Sequence, residues 1–535
     1  MQSLINNNDV INLTKDFTAK ASGDTVEISG SKIINGNSHV LNGNGKTAIF
    51  KITGGDVVLN DIVLVNGKSS YGGAVDVSNS NSLRFNNITF ENNHASREGG
   101  AVYIDKGNSI SFLNCDFLKN TAGDHGGAIY TTTYLDITNC IFNSNKVNIY
   151  GFTGCYGGAI YARDNLKIMD SKFAKNFALD DGGAIYTAGS LDIIGSLFDS
   201  NKVWANGGAI YAEGVVFADS STFTSNKAIP DDDSPVNNNY GGAIYCKNNV
   251  DVVDSLFKFN FADVGGGAIC SKNNVDVKNS IFNFNSAKSK GGAIYTDCVG
   301  SAIINATFEH NYVSDGDGGA LYINKASVFT IKSSSFVSNY ANAGDGGAIY
   351  SDSSSTTITL SESIFSDNYA NNGKLRRMGG AIYFVGSLKV SNSTFLNNWA
   401  ENQGGAIYCK ETITFGGKPS YFIGNIGKKS SGGAVFTSKL DSCSNVVFIG
   451  NKANGDGGAL YVNNACTMTL SNCYFSSNFA SGDGGAIYTD SRKSRLILKN
   501  NVFYANKADE GQSVYNSGWY DSIAGNLWGN IPIGC

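Results

Sequence analysis

The sequence predicts an all-β protein, built as a single parallel β-helix of about 18–19 coils. Three observations carry that expectation. Gly-Gly-Ala occurs sixteen times between Gly72 and Gly484, at a mean spacing of about 27 residues. Each triplet is followed by Phe-x-x-Asn, from Phe90/Asn93 to Phe503/Asn506. The segments between them alternate with period two, as in Leu135-Asp136-Ile137-Thr138 and Val250-Asp251-Val252, and none has a helical period. Strand and turn repeated at a fixed period indicate a solenoid, in which each unit buries its apolar face against its neighbours.

Residues 1–71 read as irregular capping coils, with short strands at Val10–Leu13, Thr25–Ile28 and Val57–Leu59. Asn35-Gly36, Asn42-Gly43 and Asn66-Gly67 supply the turns, since these pairs tolerate positive φ. Residues 72–510 are the regular region, and 511–535 a terminal coil and tail. The distance from Gly-Gly to Phe is 16 to 19 residues, and from Asn to the next Gly-Gly usually 6 or 7. Three insertions break the second interval, at Asn148–Tyr156, Ile229–Tyr240 and Asn371–Met378. All three fall at one corner of the repeat, so they are expected to project from one side and are candidate specificity loops.

Within a unit, Gly-Gly marks a turn that needs positive φ or close backbone approach. The fourth position is Ile, Val or Leu in all sixteen units and faces inward. The fifth is Tyr in thirteen, with Asp76, Cys270 and Phe436 as exceptions; period two turns it outward. Phe should stack inward as a ladder. The Phe-x-x-Asn amide is placed to hydrogen-bond the same Asn in the next coil. Two residues before Phe the chain usually has Ser, but adjacent units have Cys115 and Cys140, expected as stacked free thiols or a disulfide.

The 40 basic and 45 acidic residues leave a net charge of -5, with no electrostatic footprint for nucleic acid. No apolar run approaches the roughly 18–20 residues of a membrane helix, so no membrane insertion is expected of this chain. The polar start shows no readable secretory signal, and no anchor follows. Eleven Cys without a C-x-x-C pair give no zinc or thioredoxin-like reading.

The paired GGA[ILV] and F-x-x-N motifs resemble the repeats of chlamydial polymorphic outer-membrane proteins. Ile11-Asn12-Leu13-Thr14-Lys15-Asp16, Ile34-Asn35-Gly36-Asn37 and Asn526-Leu527-Trp528-Gly529-Asn530 resemble adhesin-like proteins of methanogenic archaea. The resemblance implies a right-handed helix and an extracellular or cell-surface location. It implies a non-catalytic, adhesin-like passenger region that attaches to a cell-surface glycan or protein, without a cofactor. The alternatives are a polysaccharide lyase or glycoside hydrolase on the same fold, and a structural surface spacer.

Glycoside hydrolysis would need paired carboxylates about 5–10 Å apart in a cleft. The four histidines, His39, His94, His125 and His310, share no register. Asp precedes Gly-Gly at Asp181, Asp317, Asp345, Asp456 and Asp483, with Asp315 nearby. Stacked carboxylates are candidate Ca²⁺ ligands, although Asp also starts turns well. The outward Tyr column is the leading candidate for ligand binding, as an exposed stripe over Tyr295, Tyr322, Tyr350, Tyr383 and Tyr408.

Overall fold

Glycine sets the corner of each coil. In the unit that starts at Gly126, this residue has φ +62°, and a Cβ on it would lie 2.1 Å from the Ile129 carbonyl oxygen. A Cβ on Gly127 would lie 2.1 Å from the carbonyl oxygen of Gly158 in the next coil. The first glycine is therefore required by conformation and the second by the approach of the neighbouring backbone. Four short strands follow: Ile129–Thr131, Leu135–Thr138, Ile141–Asn143 and Lys146–Val147.

Each strand pairs in parallel with its counterparts in the coils before and after. Ile129 lies between Val102 and Ile160, and Phe142 between Phe117 and Phe173. The period-two reading holds: Ile129, Leu135, Ile137, Phe142 and Val147 all point into the core and are buried. Phe117, Phe142 and Phe173 stack face to face with ring centroids 4.5 Å apart. Burying one such ring contributes about 2–3 kcal/mol, so the ladder is a large share of each coil's stability.

The computed structural model describes residues 1–147, 154–231, 239–325, 327–371 and 377–529. The fold is all-β, with about 19 turns of parallel solenoid. The chain divides into two compact units, residues 1–264 with 268–272, and residues 265–267 with 273–535. Both are built from the same coil. Among the described residues no helix is long and apolar enough to cross a membrane.

The first 71 residues continue the same columns, with Ile11, Ile34, Leu59 and Phe85 in register. Their strands are longer, as in Lys32–Asn42 and Asp56–Val65. A six-residue helix, Gln2–Asn7, precedes them and buries Ile5; the sequence reading had no helix there. At the other end Val514–Asn516, Trp519–Ala524 and Leu527–Gly529 form one more coil. It keeps Gly511 and Tyr515 but has Gln512 in the place of the second glycine.

Two polar ladders close the turns. Along the column the Phe-x-x-Asn amide Nδ2 donates to the Asn Oδ1 of the next coil, as from Asn176 to Asn201 and Asn201 to Asn226 (3.0 and 2.9 Å). The same Oδ1 also accepts the backbone N–H of the earlier Asn, and Nδ2 reaches back to a Phe carbonyl. In the serine column a hydroxyl accepts an N–H from the coil before and donates to the carbonyl two residues upstream, as at Ser196 and Ser221. Cys115 and Cys140 occupy this serine column as stacked free thiols. Cys140 Sγ accepts the Cys115 N–H at 3.3 Å and its thiol donates to the Thr138 carbonyl at 3.2 Å.

Candidate functional site

The Tyr column forms in each unit. In the first, Tyr103, Tyr130, Tyr161, Tyr186, Tyr211 and Tyr245 stack with centroids 4.9–5.2 Å apart. In the second, Tyr295, Tyr322, Tyr350, Tyr383 and Tyr408 stack at 4.9–5.4 Å, and the column continues through Phe436, Tyr461 and Tyr488 to Tyr515.

The expectation of an exposed stripe is corrected here. Tyr295 is 4% and Tyr322 5% exposed, and Tyr350, Tyr383 and Tyr408 are half-buried. Successive rings lie 4.9–5.1 Å apart, so each ring covers the face of the next. Neighbouring side chains cover the edges. The Lys290 ammonium lies 5.3 Å from the Tyr322 ring, and the Tyr295 hydroxyl donates to Asp297. Burial, with nearby carboxylates, pushes the Tyr103 hydroxyl up to about 12, so it stays neutral.

The acidic column before Gly-Gly is also explained by backbone chemistry. Asp317 Oδ1 accepts the Asp345 N–H at 2.8 Å, and Asp345 Oδ1 accepts the Met378 N–H at 2.9 Å. Asp456 does the same for Asp483, and Asp483 for Glu510. Asp181 serves Asn206, which occupies the equivalent position and in turn accepts the Tyr240 N–H. Burial raises the carboxyls of Asp181 and Asp345 to about 6, and those of Asp317 and Asp456 above their ordinary value. Asp315 is exposed and outside this ladder. Among the described residues no group of three or more His, Cys, Asp or Glu side chains is placed to hold a metal ion.

Other carboxylates on the Tyr face of the first unit are engaged in the same way. Asp180 Oδ2 accepts the N–H groups of Gly154 and Cys155, both at 2.7 Å. Glu213 accepts the Tyr186 hydroxyl and pairs with Lys247 at 2.7 Å. His125 is stacked between tyrosines, 5.4 Å from Tyr156 and 4.6 Å from Tyr161. Of the three insertions, residues 148–153, 232–238 and 372–376 lie outside the described residues.

A second outward column is also aromatic, with its rings half-buried. It lies on the fourth strand of the coil, at the residue after the ladder Asn. In the second unit Tyr312, Tyr340, Tyr369 and Trp399 stack there at 4.9, 4.9 and 5.5 Å, followed by Ile426, which is 39% exposed. Lys428 lies 5.2 Å over the Trp399 ring and pairs, with Lys429, to the buried carboxylate of Glu401. At the adjoining turn Phe284 and His310 stack at 4.8 Å, both with positive φ, and Phe284 is 40% exposed. A bulky side chain at positive φ is unusual, because its Cβ crowds the backbone. In the first unit the same column is mostly basic or small, with Lys68, His94, Thr121, Lys146, Lys202 and Lys227, and aromatic at Phe177 and Phe261. The signal was in the sequence as Asn-Tyr, Asn-Tyr, Asn-Tyr, Asn-Trp at four successive ladder positions.

The geometry defines a parallel β-solenoid with structural ladders inside and a varied outer surface. The family described as the right handed beta helix region matches residues 17–203. The Chlamydia polymorphic membrane protein repeat matches residues 220–247, 392–410, 445–463 and 472–490, stretches that run from the Phe strand into the next Gly-Gly turn. The chain is thus a right-handed parallel β-helix in which four stretches match the chlamydial repeat, and that combination fits a surface, adhesin-like protein. No solved structure matches the chain.

Proposed function

We propose that this chain is the attachment region of a surface or secreted adhesin-like protein, binding a cell-surface glycan or protein without catalysis. The observation that carries the reading is the outer column Tyr312, Tyr340, Tyr369, Trp399 and Ile426. Nothing in the coil's own hydrogen bonding requires rings there, since the first unit builds the same strand with Lys and Thr. Half-buried aromatic rings offer contact area at low side-chain entropy cost, which suits a recognition surface.

The test compares two double variants of the full chain for binding to host cells and to a glycan array. Tyr369→Ser with Trp399→Ser should lower binding about tenfold, roughly 1.4 kcal/mol, with little change in melting temperature. Tyr295→Ser with Tyr322→Ser should instead lower the melting temperature, because those rings are buried. Unchanged binding by the first variant would exclude this surface.

A further inference from the structure

We infer that Cys443 and Cys473 form an intrachain disulfide that staples adjacent coils of the second unit. Their Sγ atoms lie 3.6 Å apart, and both side chains are buried. The two arrive from different columns. Cys473 sits in the serine column, where its thiol donates to the Ser471 carbonyl at 3.4 Å. Cys443 is an inward core residue whose strand partner is Leu470. A third contact, from Cys473 Sγ to the Cys443 carbonyl at 3.4 Å, holds the second thiol against the first. Closing to a bond length of about 2.05 Å requires roughly 1.5 Å of approach, shared by two side chains. At Cys115 and Cys140 both sulfurs lie in the serine column, and the close contact is from the Cys115 N–H to the Cys140 sulfur at 3.3 Å.

The chemistry is exchange with a low-molecular-weight disulfide, R–S–S–R. The Cys473 thiolate attacks one sulfur and releases R–S⁻. The Cys443 thiolate then displaces the second R–S⁻ from the mixed disulfide. The two protein protons go to the leaving thiolates, so two R–SH are produced for one protein disulfide. Both sulfurs are inaccessible in the folded coil, so the bond closes before this part of the solenoid is complete. None of this depends on what the outer surface binds.

The test is to refold the full chain in a glutathione buffer containing the oxidised form, alkylate remaining thiols, and map peptides without reduction. The expected result is one cross-linked pair joining Cys443 and Cys473, with Cys115 and Cys140 alkylated. The oxidised chain should melt about 5 °C above the reduced one, because a loop of 30 residues is closed in the unfolded state. Cys473→Ser, which installs the usual residue of its column, should fold and lose both the cross-link and the difference in melting. Cys443→Ser is a second check on the cross-link. Full alkylation of both cysteines, a cross-link to another cysteine, or a redox-dependent melting shift that survives Cys473→Ser would overturn the assignment.

Discussion

Asn201 fixes four polar groups with one side chain. Its Oδ1 accepts the N–H and Nδ2 of Asn176, and its Nδ2 donates to the Phe173 carbonyl and the Asn226 Oδ1. All of this is buried, so truncation leaves donors and a carbonyl without partners in a dry corner. Asn201→Ala is expected to cost about 3 kcal/mol, read as a lower urea midpoint. A half-buried residue in the neighbouring turn, Ser200, should be replaceable by Asn at a cost within about 0.5 kcal/mol, since its positive φ suits Asn. The ladder was legible in the sequence because one residue type at a fixed place in sixteen units has few other physical explanations. The helix Gln2–Asn7 was not, because six residues are too short to show a period.

At the level of the strand and its turn, direction was legible and exposure was not. Alternation correctly turned Tyr350 and Tyr383 away from the core, but says nothing about rings 5.0 Å away in the next coil. From Thr121–Ala122 onward the fourth strand is only two or three residues long, as at Trp399–Ala400, so its outer column left no alternation to read. The Asp column adds a pH dependence. The folded carboxyl of Asp345 is raised to about 6 by burial, above its unfolded value near 3.8. Its contribution to stability is therefore complete below about pH 3.8 and is lost as pH rises through about 6. Asp345→Asn keeps an oxygen for the Met378 N–H, as Asn206 does natively for Tyr240. The variant should gain about 1 kcal/mol at pH 7, after allowance for solvent screening, and should flatten the melting profile between pH 4 and 7.

At the level of the molecule, contacts join each coil to its neighbours and to little else, so stability is close to a sum over coils and interfaces. Removing residues 182–206 takes out one whole unit and joins Asp181 to Gly207, residues that already flank the same turn. Tyr161 then meets Tyr211, and Phe173 meets Phe223, at unchanged register. This deletion is expected to fold, with circular dichroism of a β protein and a melting temperature within about 5 °C of the parent. Removing 182–194 instead displaces every inward residue that follows, and should give an aggregated or protease-sensitive product.

The second glycine of each corner has a genetic consequence. Every missense change at a glycine codon adds a Cβ, and at Gly127, Gly183 or Gly458 that atom would sit 2.1 Å from the carbonyl oxygen of the following coil. These codons cannot drift singly. Variation is therefore directed away from the corners, to other positions of the coil and to exchange of whole units between corners. Homologous recombination within the gene can lengthen, shorten or shuffle the array while leaving each joint intact, so lineages should differ in unit number and outer-face composition before they differ at the hinges.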